Sequence, residues 1–184
     1  MGREVRMVPP NWEHPKSSES WRAERGELQP MFDENYDHVR AEWIAGLMAH
    51  KPEEHEGADY WEWHGNPPDR EYYRPWKDQE ATWFQLWETV SEGTPVSPPF
   101  ATREELTQYL AEHGDFWDQK RGHGGWGIEA ARAFVATGWA PSLMISGGKV
   151  IGSKDISLVM AHDQAQTETV PEQGRTDPEG KSRN

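Results

Sequence analysis

The chain has 184 residues, which suits one domain with a sizeable buried core. Its 32 Asp and Glu outnumber 19 Lys and Arg, and the net charge of -13 argues against binding to nucleic-acid backbones, although such a surface could mimic a nucleic acid. The absence of Cys excludes disulfides, thiolate nucleophiles and Cys-ligated zinc, and no apolar run approaches the about 20 residues of a membrane helix.

Aromatic residues dominate the apolar content, with 11 Trp, 5 Tyr and 5 Phe. Because each aromatic side chain can bury roughly 150–250 Å², we expect a core of a few large, flat side chains. Most of the tryptophans are expected in that core, and exposed ones would be anchors for a partner.

The first third of the chain predicts a strand, a loop and a helix. Residues 3–8 alternate as a short strand, and the polar residues 16–30 predict a mobile loop. Apolar residues at steps of three and four predict a helix from Glu34 to Ala49, with Asp33 as its N-cap. The apolar residues that this spacing places on one face are Phe32, Tyr36, Val39, Trp43, Leu47 and Met48.

A cluster of aromatic and polar residues follows at residues 60–64. In an extended segment, Trp61 and Trp63 would point the same way, which predicts a pair of core tryptophans with Glu62 and His64 on the opposite, wet face. The alternative is that Glu62 and His64 form an acid–base pair in an aromatic pocket.

Residues 81–91 predict a strand, because aromatic and β-branched residues are frequent there, although a helix also fits their spacing. The loop at 91–99 carries three prolines that fix its backbone, so it resembles a shaped surface more than a linker. We expect a binding site where this loop meets the tryptophans. The candidate ligand- or partner-binding residues are Trp61, Trp63, His64, Ser91, Glu92, Gly93, Thr94 and Trp139.

The strongest local signal is a capping box at Thr102 and Glu105, which predicts a helix that runs to about Glu112. Residues 115–127 are rich in glycine and predict a loop. Residues 128–137 predict a further helix that Gly138 ends.

The remaining sequence predicts a hairpin at 143–151 and a strand at 156–160. We therefore expect one α+β domain over residues 1–161, with about three helices, a small mostly antiparallel sheet and Pro-rich loops. The polar residues 162–184 predict a disordered tail.

Motifs of catalysis and cofactor binding are absent from the sequence. The eight histidines form no metal-ligand pattern such as H-E-x-x-H, and we expect them on the surface. The glycines at 122–127 match no nucleotide-binding fingerprint, although their backbone N–H groups could hold an anion. We expect neither a metal nor a cofactor.

Four blocks of the sequence form distinctive motifs. They are R-x-V-P-P-N-W-x-H-P at 6–15, Y-W-x-W-x-G-N-P-P-D-R-E-Y-Y-R-P at 60–75, E-T-V-S-E-G-T-P-V-S-P-x-F-A-T at 88–102 and F-V-x-x-G-W-A-P-S at 134–142. These blocks resemble a family of small uncharacterised proteins of tailed bacteriophages and prophages. The resemblance implies a phage product in the cytoplasm of a bacterial host, and it implies no catalytic residue. The residues after about His162 and the glycines at 122–127 depart from the shared blocks.

These observations favour a non-enzymatic interaction module whose partner is a host or phage protein, such as a host factor or a defence component. The alternatives are a protein that binds or sequesters a small nucleotide-like ligand, a minor virion component and a small hydrolase. Direct binding to DNA, RNA or a membrane is not expected.

Overall fold

The centre of the fold is a four-stranded antiparallel sheet. The computed structural model describes residues 2–89, 93–141, 143–146 and 149–152. The strands of the sheet are β1 (Gly2–Val8), β4 (Trp83–Thr89), β5 (Thr94–Pro95) and β6 (Trp139–Ala140), and their order across it is β5-β4-β1-β6. The predicted α+β class is confirmed, as are the strands predicted at 3–8 and 81–91.

The two long strands give the sheet two different buried faces. β1 pairs with β4 along its whole length, so that Val5 lies opposite Leu86 and Glu4 lies opposite Trp87. Directly opposite residues share a face of the sheet, and consecutive residues alternate between faces. Leu86 therefore belongs to the core on one side, and Trp87 belongs to the core on the other.

Helices α4 (Arg103–His113) and α6 (Ile128–Thr137) cover the first face. Both bonds of the predicted capping box are present, because Thr102 Oγ1 accepts from Glu105 N at 3.1 Å and Glu105 Oε2 accepts from Thr102 N at 3.0 Å. Gly138 ends α6 in the left-handed conformation, as predicted. The buried residues of this core are Leu86, Val96, Leu106, Leu110, Ala131, Phe134, Val135 and Ala140.

Irregular segments cover the second face, where Met31, Trp76 and Ala81 pack with Val8 of β1 and Trp87 of β4. The segment at 16–30, predicted as a mobile loop, is mostly loop but contains local structure. The segment contains one helical turn, α1 (Ser20–Ala23), and its ends pair through bonds from Ser17 N to Glu27 O at 2.9 Å and from Gln29 N to Pro15 O at 3.0 Å.

A helical excursion leaves the sheet between residues 32 and 74. It consists of β2 (Phe32–Asn35), α2 (Tyr36–Ala49), α3 (Tyr60–His64) and β3 (Tyr73–Arg74), and β2 pairs with β3 in parallel. The helix predicted from Glu34 is confirmed, but its predicted N-cap is wrong. Asn35, not Asp33, accepts the first N–H groups, because its Oδ1 lies 3.0 Å from Asp37 N and 3.3 Å from His38 N.

The predicted loop at 115–127 is wrong in its first half, which forms α5 (Phe116–Arg121). Asp115 starts this helix by accepting from Trp117 N and Asp118 N, and Gly122 ends it in the left-handed conformation. The hairpin of β7 (Leu143–Ser146) and β8 (Lys149–Gly152) confirms the prediction for that region. The strand predicted at 156–160 and the tail predicted at 162–184 lie outside the described residues.

Candidate interaction site

The helix α2 is apolar along much of its length, yet none of its residues is buried. Met48 is 84% exposed, and Leu47 is also exposed. The apolar face predicted for this helix is therefore not buried in the fold. Helical periodicity shows that apolar residues share a side, but whether another element covers that side depends on the rest of the fold.

The next helix, α3, carries the most exposed tryptophans of the excursion. Trp61 is 50% exposed and Trp63 is 61% exposed, so the prediction of two core tryptophans on an extended segment is wrong. Residues two apart on a helix point about 200° away from each other, so the two indoles do not lie side by side. The helix forms because Glu62 Oε2 accepts from Asp59 N at 3.1 Å, as in a capping box.

Tyr60 anchors α3 on α2, and it is the buried residue of α3. Its ring packs over Gly46, where a Cβ atom would lie only 2.1 Å from the Tyr60 hydroxyl oxygen. The Trp43 ring lies 5.3 Å from the Tyr60 ring, and Trp43 Nε1 donates to Gly65 O at 3.3 Å. The position of α3, and with it that of Trp61 and Trp63, is thus fixed by contacts on both sides of Tyr60.

Three histidines pack into this anchor. The His50 and His55 rings stack at 4.9 Å, His55 lies 4.4 Å from the Trp63 ring, and His64 lies 4.9 Å from the Tyr60 ring. Because Glu62 caps the helix and His64 packs on Tyr60, each member of the possible acid–base pair has a structural role. Among the described residues, no group of three or more His, Asp or Glu could hold a metal ion.

The other predicted site residues lie elsewhere in the fold. Ser91 and Glu92 fall outside the described residues. Gly93 is buried and accepts from Met31 N at 2.9 Å, and a Cβ atom there would lie 2.5 Å from Glu88 O. Thr94 Oγ1 donates to the Glu88 carboxylate at 2.7 Å. The described part of this loop is therefore bound tightly to the fold.

Trp139 is 48% exposed and lies in β6. The strand order puts β6 and β5 at opposite edges of the sheet, which are about 14 Å apart at the usual strand spacing. The sequence predicts that Trp139 meets the loop at 91–99, but the structure places Trp139 at the opposite edge of the sheet from Thr94 and Pro95 of that loop. Trp61 and Trp63 lie on α3, outside this sheet.

A cleft of about 690 Å³, which sequence reasoning missed, lies between the start of α2 and residues 73–79. Its lining residues are Phe32, Asp33, Glu34, Asn35, His38, Val39, Glu42, Tyr73, Arg74, Lys77, Asp78 and Gln79. Arg74 donates to the backbone carbonyls of Asp33 and Trp76 and to the Asp78 carboxylate. Desolvation raises the pKa of Asp33, against the opposing effects of the Arg6 and Arg74 charges.

A buried polar cluster, also missed from the sequence, lies on the second face of the sheet. The Arg6 guanidinium lies 4.5 Å from the Trp87 ring, forms an ion pair with Glu4 and donates to Met31 O at 2.7 Å. His14 lies edge-on to Trp87 at 4.9 Å. Trp87 and Met31 are far in sequence from Glu4, Arg6 and His14, so no local pattern marks the cluster.

The hydrogen bonds of His14 favour its neutral form. Trp12 Nε1 donates to His14 Nδ1 at 3.3 Å, so the proton lies on Nε2, which donates to Gln29 O at 2.6 Å. Burial lowers the pKa of His14 from 6.5 to about 4, although the bond to Gln29 opposes this shift. Protonation would require the buried ring to take up a charge beside Arg6, which lowers the pKa further.

We expect the lowered pKa of His14 to make stability depend on pH. The unfolded chain takes up a proton below pH 6.5 and the folded chain only near pH 4, so stability from His14 is present above pH 6.5 and is lost as the pH falls to about 4. The loss is at most roughly 3 kcal/mol. Urea unfolding at several pH values should show that the free energy of unfolding falls less between pH 6.5 and 4 in His14→Phe than in wild type. An NMR titration midpoint of His14 near 6.5 would contradict the expectation.

Comparison with known proteins found no match to any family model, curated protein or solved structure. Within the residues that the structure describes, no helix is both long enough and apolar enough to cross a membrane.

Proposed function

We propose that this protein is a non-enzymatic interaction module that binds a protein partner through the exposed tryptophans of α3. The observation that supports the proposal is that Trp61 and Trp63 are half or more exposed on a helix that Tyr60 fixes against α2. Exposed tryptophans are frequent energetic anchors of interfaces, because each buries a large area and has few rotatable bonds. A fixed scaffold lowers the entropy that binding must overcome.

The charge of the excursion limits what the partner can be. Between residues 33 and 62 the chain has nine acidic residues and two basic ones, Arg40 and Lys51. The acidic residues are Asp33, Glu34, Asp37, Glu42, Glu53, Glu54, Glu56, Asp59 and Glu62. Such a surface repels phosphate backbones and attracts a protein whose apolar groove has Lys and Arg around it.

The resemblance to phage and prophage proteins supports a partner in an infected bacterium, either a host factor, a defence component or another phage protein. A nucleotide-like ligand in the cleft has less support. The Arg74 guanidinium donates to partners within the chain, and four carboxylates at the cleft, those of Asp33, Glu34, Glu42 and Asp78, would oppose a phosphate.

We expect that substitution of the α3 tryptophans abolishes binding of the partner. A tagged chain should retain one or more specific proteins from an extract of infected cells at physiological salt, and Trp61→Ser with Trp63→Ser should lower their recovery at least about tenfold, as expected for a hot spot worth ~2 kcal/mol. Quantitative mass spectrometry of the retained proteins measures the effect.

The matched control is Trp139→Ser, because Trp139 is similarly exposed but lies on the sheet edge. This variant should retain the partner at the wild-type level. Equal recovery with wild type and with the α3 double variant, both folded by circular dichroism, would refute the proposal.

A further inference from the structure

The cleft beside the start of α2 has a pair of aromatic rings in its lining. Its volume of about 690 Å³ lies within the roughly 300–1,000 Å³ of small-ligand sites. Phe32 and Tyr73 both line it, and their ring centroids lie 5.1 Å apart. The two residues are partners in the parallel pairing of β2 with β3, so the backbone holds the rings together. Aromatic rings attract cations to their faces.

The charged residues of the cleft leave an excess of negative charge. The Arg74 side chain is only 13% exposed and donates to the Asp78 carboxylate, so these two charges compensate each other. Three further carboxylates in the lining outnumber one further ammonium group, that of Lys77. The three carboxylates, all on exposed residues, are those of Asp33, Glu34 and Glu42. The cleft therefore favours a cation over an anion.

Asp33 is a carboxylate of the cleft whose charged form the fold disfavours. Its Oδ1 lies 3.8 Å from Arg74 Nε. Desolvation nevertheless raises the pKa of Asp33, and the neighbouring Glu4 and Glu34 charges add to the rise, against the effects of Arg6 and Arg74. A further cation near Asp33 would stabilise its charged form.

The cleft and α3 are neighbours on the same side of α2. Val39 lines the cleft, whereas Trp43 and Gly46 contact Tyr60 of α3. Steps of four and three residues place Val39, Trp43 and Gly46 along one side of the helix. Val39 and Gly46 are about 10 Å apart along the axis, a distance that an extended chain crosses in about three residues. A segment that contacts α3 can therefore also reach the cleft.

We propose that the cleft binds the guanidinium group of an arginine that the protein partner presents. The proposal rests on the proposed function, because it names the chemistry of the partner that binds at α3. Arginine fits the cleft better than lysine, since its planar guanidinium can stack on an aromatic ring and donate two parallel N–H bonds to one carboxylate. A single side chain binds weakly, with a dissociation constant on the order of 1 mM.

Titration of the isotope-labelled full chain with N-acetylarginine amide, followed by NMR, tests the site without the partner. The backbone resonances of Phe32, Asp33, His38 and Tyr73 should shift and saturate with a dissociation constant on the order of 1 mM. N-acetylcitrulline amide has nearly the same shape but no charge, and it should bind at least about tenfold more weakly. Equal binding of the two probes would overturn the proposal, because the cleft would then not recognise the charge.

Removal of two cleft carboxylates should weaken binding of the arginine probe at least about tenfold. The variant is Asp33→Asn with Glu42→Gln, and both residues are exposed, so the fold should be retained. Its control is Glu112→Gln with Glu129→Gln, which removes the same charge from exposed positions of α4 and α6. The control should bind the probe like wild type. Equal loss in both variants would show a general effect of net charge and overturn the site.

Recovery of the partner separates this proposal from the proposed function. Asp33→Asn with Glu42→Gln should retain the partner several-fold less than wild type. Wild-type recovery with this variant, or no shift of the cleft resonances up to about 20 mM probe, overturns the arginine site. The proposed function would still stand in either case if Trp61→Ser with Trp63→Ser loses the partner.

Discussion

Asp115→Asn is expected to lower the free energy of unfolding by about 3–5 kcal/mol, the usual cost of breaking a buried ion pair by removing one partner. Asp115 Oδ2 accepts from Arg3 Nε at 2.7 Å, and both residues are buried. The pair joins β1 to the start of α5 across 112 positions of sequence. The substitution leaves the buried Arg3 charge without this carboxylate.

The Asn variant separates the effect of the ion pair on stability from the effect of the helix cap. Asp115 Oδ1 also accepts from Trp117 N at 2.7 Å and from Asp118 N at 2.9 Å, and Asn caps helices about as well as Asp. Asp115→Ala should cost about 1 kcal/mol more, because it removes the cap as well. Urea unfolding at pH 7 measures both values.

The exposed pair of Lys51 and Glu54 gives the control, with an Nζ to Oε1 distance of 2.6 Å. Glu54→Gln should change the unfolding free energy by less than about 1 kcal/mol. If Asp115→Asn costs no more than Glu54→Gln, the Arg3–Asp115 pair does not stabilise the fold as its burial predicts.

Gly125→Ala is expected to cost about 3 kcal/mol, because the loop after α5 packs directly on the backbone of α4. A Cβ atom at Gly125 would lie 2.1 Å from Ala111 O and 2.6 Å from Glu112 C. Neither atom can move away easily, since Ala111 O also accepts from Gly127 N at 3.1 Å. The loop would have to separate from the end of α4.

Gly124→Ala is the matched control for crowding. A Cβ atom at Gly124 meets open space, but the residue has a φ of +69°, so the cost should be about 1 kcal/mol from the left-handed backbone alone. Thermal and urea unfolding of both variants compare the two effects. A smaller loss for Gly125→Ala than for Gly124→Ala would mean that this contact is not as close as described.

Signals within a few residues allowed several elements to be predicted. The capping box at Thr102 and Glu105 marked the start of α4, and Gly138 marked the end of α6. α3 was missed although Asp59 and Glu62 have the spacing of a capping box, because the alternation of Trp61 and Trp63 favoured a strand. In the structure, the helix that the local cap favours forms instead of the strand that the aromatic alternation favours.

The candidate site could be predicted only in part. Trp61 and Trp63 were selected from the sequence, but their exposure depends on Tyr60 taking the buried position over Gly46. The Arg3–Asp115 pair joins distant segments, and no spacing in the sequence predicts it. Contacts of this kind arise from the fold as a whole and leave no local pattern.

Photo-cross-linking tests most directly whether a protein binds at α3. Benzoylphenylalanine in place of Trp63 should give, on irradiation in an extract of infected cells, a specific adduct with one protein partner. The same residue in place of Trp139 should give none, because Trp139 lies on the sheet edge and not on α3. An adduct at position 139 with none at position 63 would contradict binding through the tryptophans of α3.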